Sequence, residues 1–191
     1  MEAPKVSEEK PKVPEQPRVN YRITDDALGT GGAKTKYARN VEAIRTLRRI
    51  EEEGRLATSE EQEVLAQYVG WGGLPQVFDE RNGDWAKEYA ALKELLSEPE
   101  YNAARASTLN AHYTSPTVVK AIYGTLERMG LTSGNILEPA CGTGNFFGLV
   151  PESMAGAKLY GVELDGITGR IARQLYQEAD ITVDGYERTR F

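Results

Sequence analysis

Two short stretches hold residues whose types and spacing suit the binding of a nucleotide-like ligand. The first is Ile136-Leu137-Glu138-Pro139-Ala140-Cys141-Gly142-Thr143-Gly144-Asn145-Phe146, where apolar strand residues run into a glycine-bearing turn that opens a helix. Such a turn presents backbone N–H groups and lets a ligand approach the main chain closely, as happens at the strand ends of open α/β sheets. The second is Tyr160-Gly161-Val162-Glu163-Leu164-Asp165. Glu163 stands at the tip of the next strand, about twenty residues past the glycine turn, where a carboxylate can accept hydrogen bonds from both hydroxyls of a ribose. Acids just before a helix N-terminus are favourable on their own account, but the glycine turn in front of Glu163 favours the ribose role. The dinucleotide fingerprint G-x-G-x-x-G is not matched, because Phe147 stands where its third glycine belongs. Gly29 to Thr35 imitates a phosphate-binding loop, yet Ala33 replaces the required glycine, the loop is one residue short and no strand precedes it, so ATP binding there is rejected.

These residues need elements to hold them. Thr114 or Ser115 caps a helix with Pro116 in its first turn, and Val118, Val119, Ile122, Tyr123 and Leu126 are its expected buried side. A strand Asn135 to Glu138, a short helix around Phe146, a strand Lys158 to Glu163, a helix from about Ile167 to Glu178 and a short strand Ile181 to Val183 follow. That alternation predicts a parallel, right-handed α/β sheet. Upstream, the spacing of Ala38, Val41, Ile44, Leu47 and Ile50 predicts a helix over Lys36 to Glu53, ended by Gly54. Thr58 with Glu61, or Ser59 with Gln62, starts a second helix with Val64, Leu65 and Tyr68 as its apolar face, and Gly70-Trp71-Gly72-Gly73-Leu74-Pro75 ends it. Two short helices are expected after these, Trp85 to Leu96 capped by Asp84, and one after Pro99 running towards Leu109. The chain thus divides into a tail or linker over residues 1–20, rich in proline and charge, a helical module over 21–110, and an α/β part over 111–191.

Composition narrows the partners. With one Cys and one His in 191 residues, neither an intramolecular disulfide nor a cysteine-rich or histidine-based zinc site is expected. No apolar run is long enough to span a bilayer and the N-terminus is not a secretory signal, so a reducing cytoplasm is the expected location. A net charge of −6 argues against holding nucleic acid by bulk electrostatics. One local exception is the basic stretch Lys34, Lys36, Arg39, Arg45, Arg48 and Arg49, a candidate DNA-contacting surface.

Taken in order, His112-Tyr113-Thr114-Ser115-Pro116-Thr117-Val118-Val119, Ile136 to Gly144, and Gly161-Val162-Glu163-Leu164-Asp165 resemble the first motifs of N6-adenine DNA methyltransferases of the TaqI and type I modification-subunit kind. The resemblance implies a partial Rossmann-like methyltransferase sheet preceded by a small helical module, with S-adenosylmethionine as cofactor. It implies that Tyr113 and Thr114 close over the methionine end, and that Glu138 to Gly144, including Ala140 and Gly142, cradle the cofactor, with Glu138 near its amino group and Phe146 alongside. It further implies that Glu163 holds the ribose, that Leu164 packs on the adenine, and that Asp184 or Glu187 caps the adenine amino group. The segment Gly29 to Leu109 is similar, through Gly29 to Tyr37 and Gln67 to Pro75, to the leader of large helicase-methylase proteins of conjugative elements and phages.

The family's catalytic signature, Asn or Asp followed by Pro-Pro and Tyr or Phe, does not occur before Phe191. That sequence orients the target adenine and stacks on the flipped base, so the expectation is a cofactor pocket without methyl transfer. Two functions compete: a portion of a DNA adenine methyltransferase, or a non-catalytic mobile-element or phage protein that blocks host restriction or CRISPR defence with half of this fold. A parallel sheet that ends after three strands exposes an apolar edge, to be covered by the remainder of a larger protein, by a protein partner or by self-association.

Overall fold

The computed structural model describes residues 17–111 and 113–190. The expected tail lies outside them up to residue 16. Its last residues pack on the protein: the Val19 amide donates to the Gln177 side chain, and Asn20 bridges Tyr176.

The fold is α/β, with a small parallel sheet flanked by helices. Strands β1 (Asn135–Glu138), β2 (Lys158–Glu163) and β3 (Asp180–Val183) lie in the order β1-β2-β3. Glu138 at the end of β1 is level with Gly161, so β2 runs two residues further, to Glu163, which is level with Val183. The Cys141 amide donates to Val162 O at 2.8 Å and folds the glycine turn back against that longer strand. The crossovers are α6 (Asn145–Gly148) and α7 (Gly166–Leu175). Asp165 caps α7 by accepting from the Thr168 amide, and Ile167, Ile171 and Leu175, four residues apart, bury its inner stripe.

The helical part comprises α1 (Ala33–Glu52), α2 (Ser59–Leu65), α3 (Ala86–Leu95) and α4 (Glu98–Ser107). It packs on α7, and one hydrophobic core runs from Ile44 and Trp71 in the helical part through Leu175 and Tyr176 to Ile181 in the sheet. The capping box is Thr58 with Glu61. Gln62 instead points inward, donating to Val19 O and Leu175 O and so joining α2 to the end of α7.

Several local expectations shift. On α1, Ala38 is exposed while Tyr37, Asn40, Ala43 and Thr46 join the buried side, because the helix turns 3.6 residues at a time and a strict three-residue repeat drifts off its face. Asn82, not Asp84, is the capping side chain of a short 3₁₀ turn before α3, and α4 starts at Glu98, just ahead of Pro99, with Ser97 and Glu100 as a second capping box. In α5 (Pro116–Arg128), Val119 and Tyr123 are buried but Val118 and Ile122 are exposed. Met129 and Leu131 beyond the helix, and Leu137 of the edge strand β1, are exposed as well. In the basic stretch, four of the six cations have partners on neighbouring segments. Lys34 pairs with Glu88 and sits 3.9 Å from the centre of the Trp85 ring, Arg39 donates to Thr30 O, and Arg48 and Arg49 pair with Glu100 and Glu61. These cations hold α1 to its neighbours. Among the described residues no helix is long and apolar enough to cross a membrane.

Candidate functional site

A cavity of about 510 Å³ opens at the carboxyl ends of β1 and β2, within the size range of small-molecule sites. One wall is the glycine turn. Gly142 has φ +57° and Gly144 φ +89°, a left-handed pair that lets the chain leave β1 and enter α6 within six residues. Tyr113, Thr114, Glu138, Ala140, Gly142, Phe146, Glu163 and Leu164 all line the cavity. Gly144 and Asp184 do not. A side chain at Gly144 would drive into the Tyr176 ring, so that glycine permits close packing beneath the turn. Asp184 is drawn away by Arg188, which donates to it and holds its carboxyl below the ordinary range, and the Gly185 amide donates to it as well.

Glu163 is held more firmly than its sequence position shows. One carboxylate oxygen accepts from the Gly142 amide and the other from the Asp165 amide, each at 2.8 Å. A carboxylate offers about four acceptor positions, so acceptor capacity remains after it has braced the turn. Burial raises its pKa, opposed by the amides of Asp165, Gly142 and Leu164, and burial alone raises that of Glu138. The Cys141 thiol, buried beside these acids, is pushed up to about 12 and stays neutral. Asn145 donates to Thr114 O across the mouth of the turn.

Tyr113 spans the two walls. A Cβ at Gly142 would lie 3.0 Å from its ring, and one at Gly70 would lie 3.2 Å from its ring and hydroxyl. Burial raises its phenol pKa, with the Thr168 hydroxyl opposing.

The opposite wall comes from the helical part and was not anticipated as part of the site. Tyr68 and Gly70 approach from the loop after α2, and Ala103, Ala106, Ser107, Asn110 and Ala111 from α4 and its exit. Asn40, fully buried on α1, fixes that loop by donating to Gly70 O and accepting from the Val69 amide. Gly72 touches the α4 exit so closely that a Cβ would stand 1.9 Å from Ala111 O. The glycines of the stretch Gly70-Trp71-Gly72-Gly73 were the available signal; their partners, Tyr113 and Ala111, lie some forty residues further along the chain.

The lining contains Glu138, Glu163 and Asp165 and, among the described residues, no lysine or arginine. A cavity of that sign repels phosphates and attracts cations.

No family model matches the chain. Over 136 residues, 71% of its length, it is 24% identical to the defense against restriction protein B of Escherichia phage P1, of which it spans only 4%. A solved structure from Listeria monocytogenes, described as a class I S-adenosylmethionine-dependent methyltransferase, is 13% identical and overlaps 80% of this chain and 54% of its own, with a TM-score of 0.31, too low to carry an argument.

Proposed function

We propose that the cavity binds S-adenosylmethionine or S-adenosylhomocysteine, and that the chain is the cofactor-holding portion of a mobile-element protein that acts against host restriction. The observation that carries the cofactor reading is the acidic, lysine- and arginine-free lining at the strand tips. An adenosyl amino acid brings an ammonium group, and in S-adenosylmethionine a sulfonium, whereas ATP and the dinucleotides bring phosphates. Glu138, half-buried and raised by burial alone, gains most from a cation beside it. The free acceptor positions of Glu163 suit ribose hydroxyls, and Leu164, 72% exposed, offers an apolar surface to a base.

When bound, S-adenosylmethionine supplies an electrophilic methyl group. The chain's own residues bind and orient the ligand. These 191 residues contain no Asn/Asp-Pro-Pro-aromatic sequence to present an adenine amino group, so the chain holds the cofactor without transferring its methyl. The restriction-directed role rests on the sequence similarity to the phage P1 protein. The exposed apolar residues of α5 and β1 suit it too, as a surface for further polypeptide.

Titration calorimetry tests the cofactor reading: S-adenosylhomocysteine is expected to bind and ATP to give no saturable heat. Equal binding of both, or of neither, contradicts it. For the wider role, the protein carrying this chain is expressed in a restricting host. Unmodified incoming DNA should survive better than in a host without the protein, and unchanged survival would remove that part of the proposal.

A further inference from the structure

The α4 wall has no part in the motifs that imply a cofactor, yet it closes the cavity opposite them. Ala103, Ala106 and Ser107 follow helical spacing and line the cavity, while Tyr101 and Ala104 on the other side of α4 are buried in the core. Ala103 and Ala106 are exposed, so their small size answers no packing demand within the protein. The position of this face is fixed from both ends. Glu100, in the first turn of α4, pairs with Arg170 of α7 at 2.8 Å and with Arg48 of α1 at 2.9 Å, and the exit at Ala111 is pressed against Gly72. Arg170 stands in the second turn of α7, the helix that follows Glu163 and Leu164, so this pair ties the start of α4 to the element leaving the end of β2.

Resting on the cofactor reading above, we propose that α4 forms the base-recognition wall. The adenine ring slots between Leu164 and the Ala103–Ala106–Ser107 face, and Asn110 at its end reads the ring edge. A flat apolar ring fits between a leucine and a face of small side chains that a bulkier residue would fill. The contributions of α4 and its exit to the lining are uncharged, which suits a neutral base and not a phosphate. An Asn amide can accept from the adenine amino group while donating to N7, so the wall discriminates adenine from hypoxanthine, which carries a carbonyl in place of the amino group.

The test compares S-adenosylhomocysteine and its inosine analogue on wild type, Ala106→Phe and Asn110→Ala. Both substituted positions are exposed, so thermal midpoints close to wild type are expected. Wild type should prefer the adenine compound at least tenfold. Ala106→Phe should lose at least tenfold in affinity for it, and Asn110→Ala should bring the two ligands to within about threefold of each other. Wild-type affinity in Ala106→Phe together with an unchanged preference in Asn110→Ala overturns the base wall while leaving the cofactor reading intact. Failure of the wild type to bind either ligand overturns both. Should Ala106→Phe lower the thermal midpoint, the preference of Asn110→Ala decides alone.

Discussion

The two walls of the cavity are built by opposite means. The glycine-turn wall is local: Glu138 to Asp165 contains the turn, the acid that braces it and the cap of the following helix, all joined by backbone amides 2.8 Å from a carboxylate oxygen. The helical wall is assembled from distant pieces. Asn40 reaches thirty residues along the chain to Gly70, Gly72 meets Ala111, and Glu100 reaches seventy residues to Arg170. A local wall can form wherever its strand pair forms. The assembled wall exists only when the whole core is in place, so perturbing its buried joints should cost stability and binding together.

The largest expected effect is on the local wall. Glu163→Ala removes the brace of the turn and its remaining acceptor capacity, at about 1.5–3 kcal/mol per charged hydrogen bond, so affinity for S-adenosylhomocysteine should fall at least tenfold by calorimetry. The brace and the ribose contact separate with a ligand lacking both ribose hydroxyls. Wild type should bind it more weakly than the parent compound, and Glu163→Ala should bind the two alike. A Glu163→Ala protein that still prefers the hydroxylated ligand by the wild-type margin removes the ribose role.

Next come the joints of the assembled wall. Gly72→Ala sets a methyl group against a backbone carbonyl and should cost about 1–3 kcal/mol. Asn40→Ala leaves a buried carbonyl and amide unpaired at about 1–3 kcal/mol. Both should lower the thermal midpoint by several degrees and weaken the ligand at the same time. If either variant unfolds at the wild-type temperature, the wall is not held as described.

The smallest effect is on pH. Burial raises both Glu138 and Glu163 above the ordinary 4.5. Ligand affinity needs the ionised forms, so it should begin to fall, as pH drops, above the usual carboxylate range. The ligand-free fold moves the other way. A group whose folded pKa is raised takes up protons on folding, so its contribution favours the fold more as pH falls from the raised value towards 4.5. Parallel curves of affinity and apo stability, corrected by Glu138→Gln and Glu163→Gln, would show that these acids are not the titrating groups.

This contrast also explains what could be read in the sequence. The three strands, the turn and Glu163 were legible because each depends on neighbours within about twenty-five residues: the apolar strand, the glycines and the cap follow one another. Asn40 was not, because a polar residue on an apolar helix face gives no sign of the backbone groups it will meet. Val118 and Ile122 were assigned to the core of α5 because apolar residues at helical spacing look alike whether they face the core or an open surface. Between Asp184 and Glu187 the sequence offered no choice for an adenine-capping acid, and Arg188, which donates to both, is four residues from one and next to the other. The partners of Lys34, Arg48 and Arg49 were not legible, because Glu88, Glu100 and Glu61 come from α3, α4 and α2.

The central claim is that one ligand touches both walls. Titrating S-adenosylhomocysteine into the isotopically labelled chain and following backbone amide chemical shifts tests it directly. The account predicts saturable shifts in two groups with one dissociation constant, one at Gly142, Leu164 and Asp165 and one at Ser107, Asn110 and Ala111. Shifts confined to the glycine turn, with the α4 exit unmoved at saturation, would contradict it.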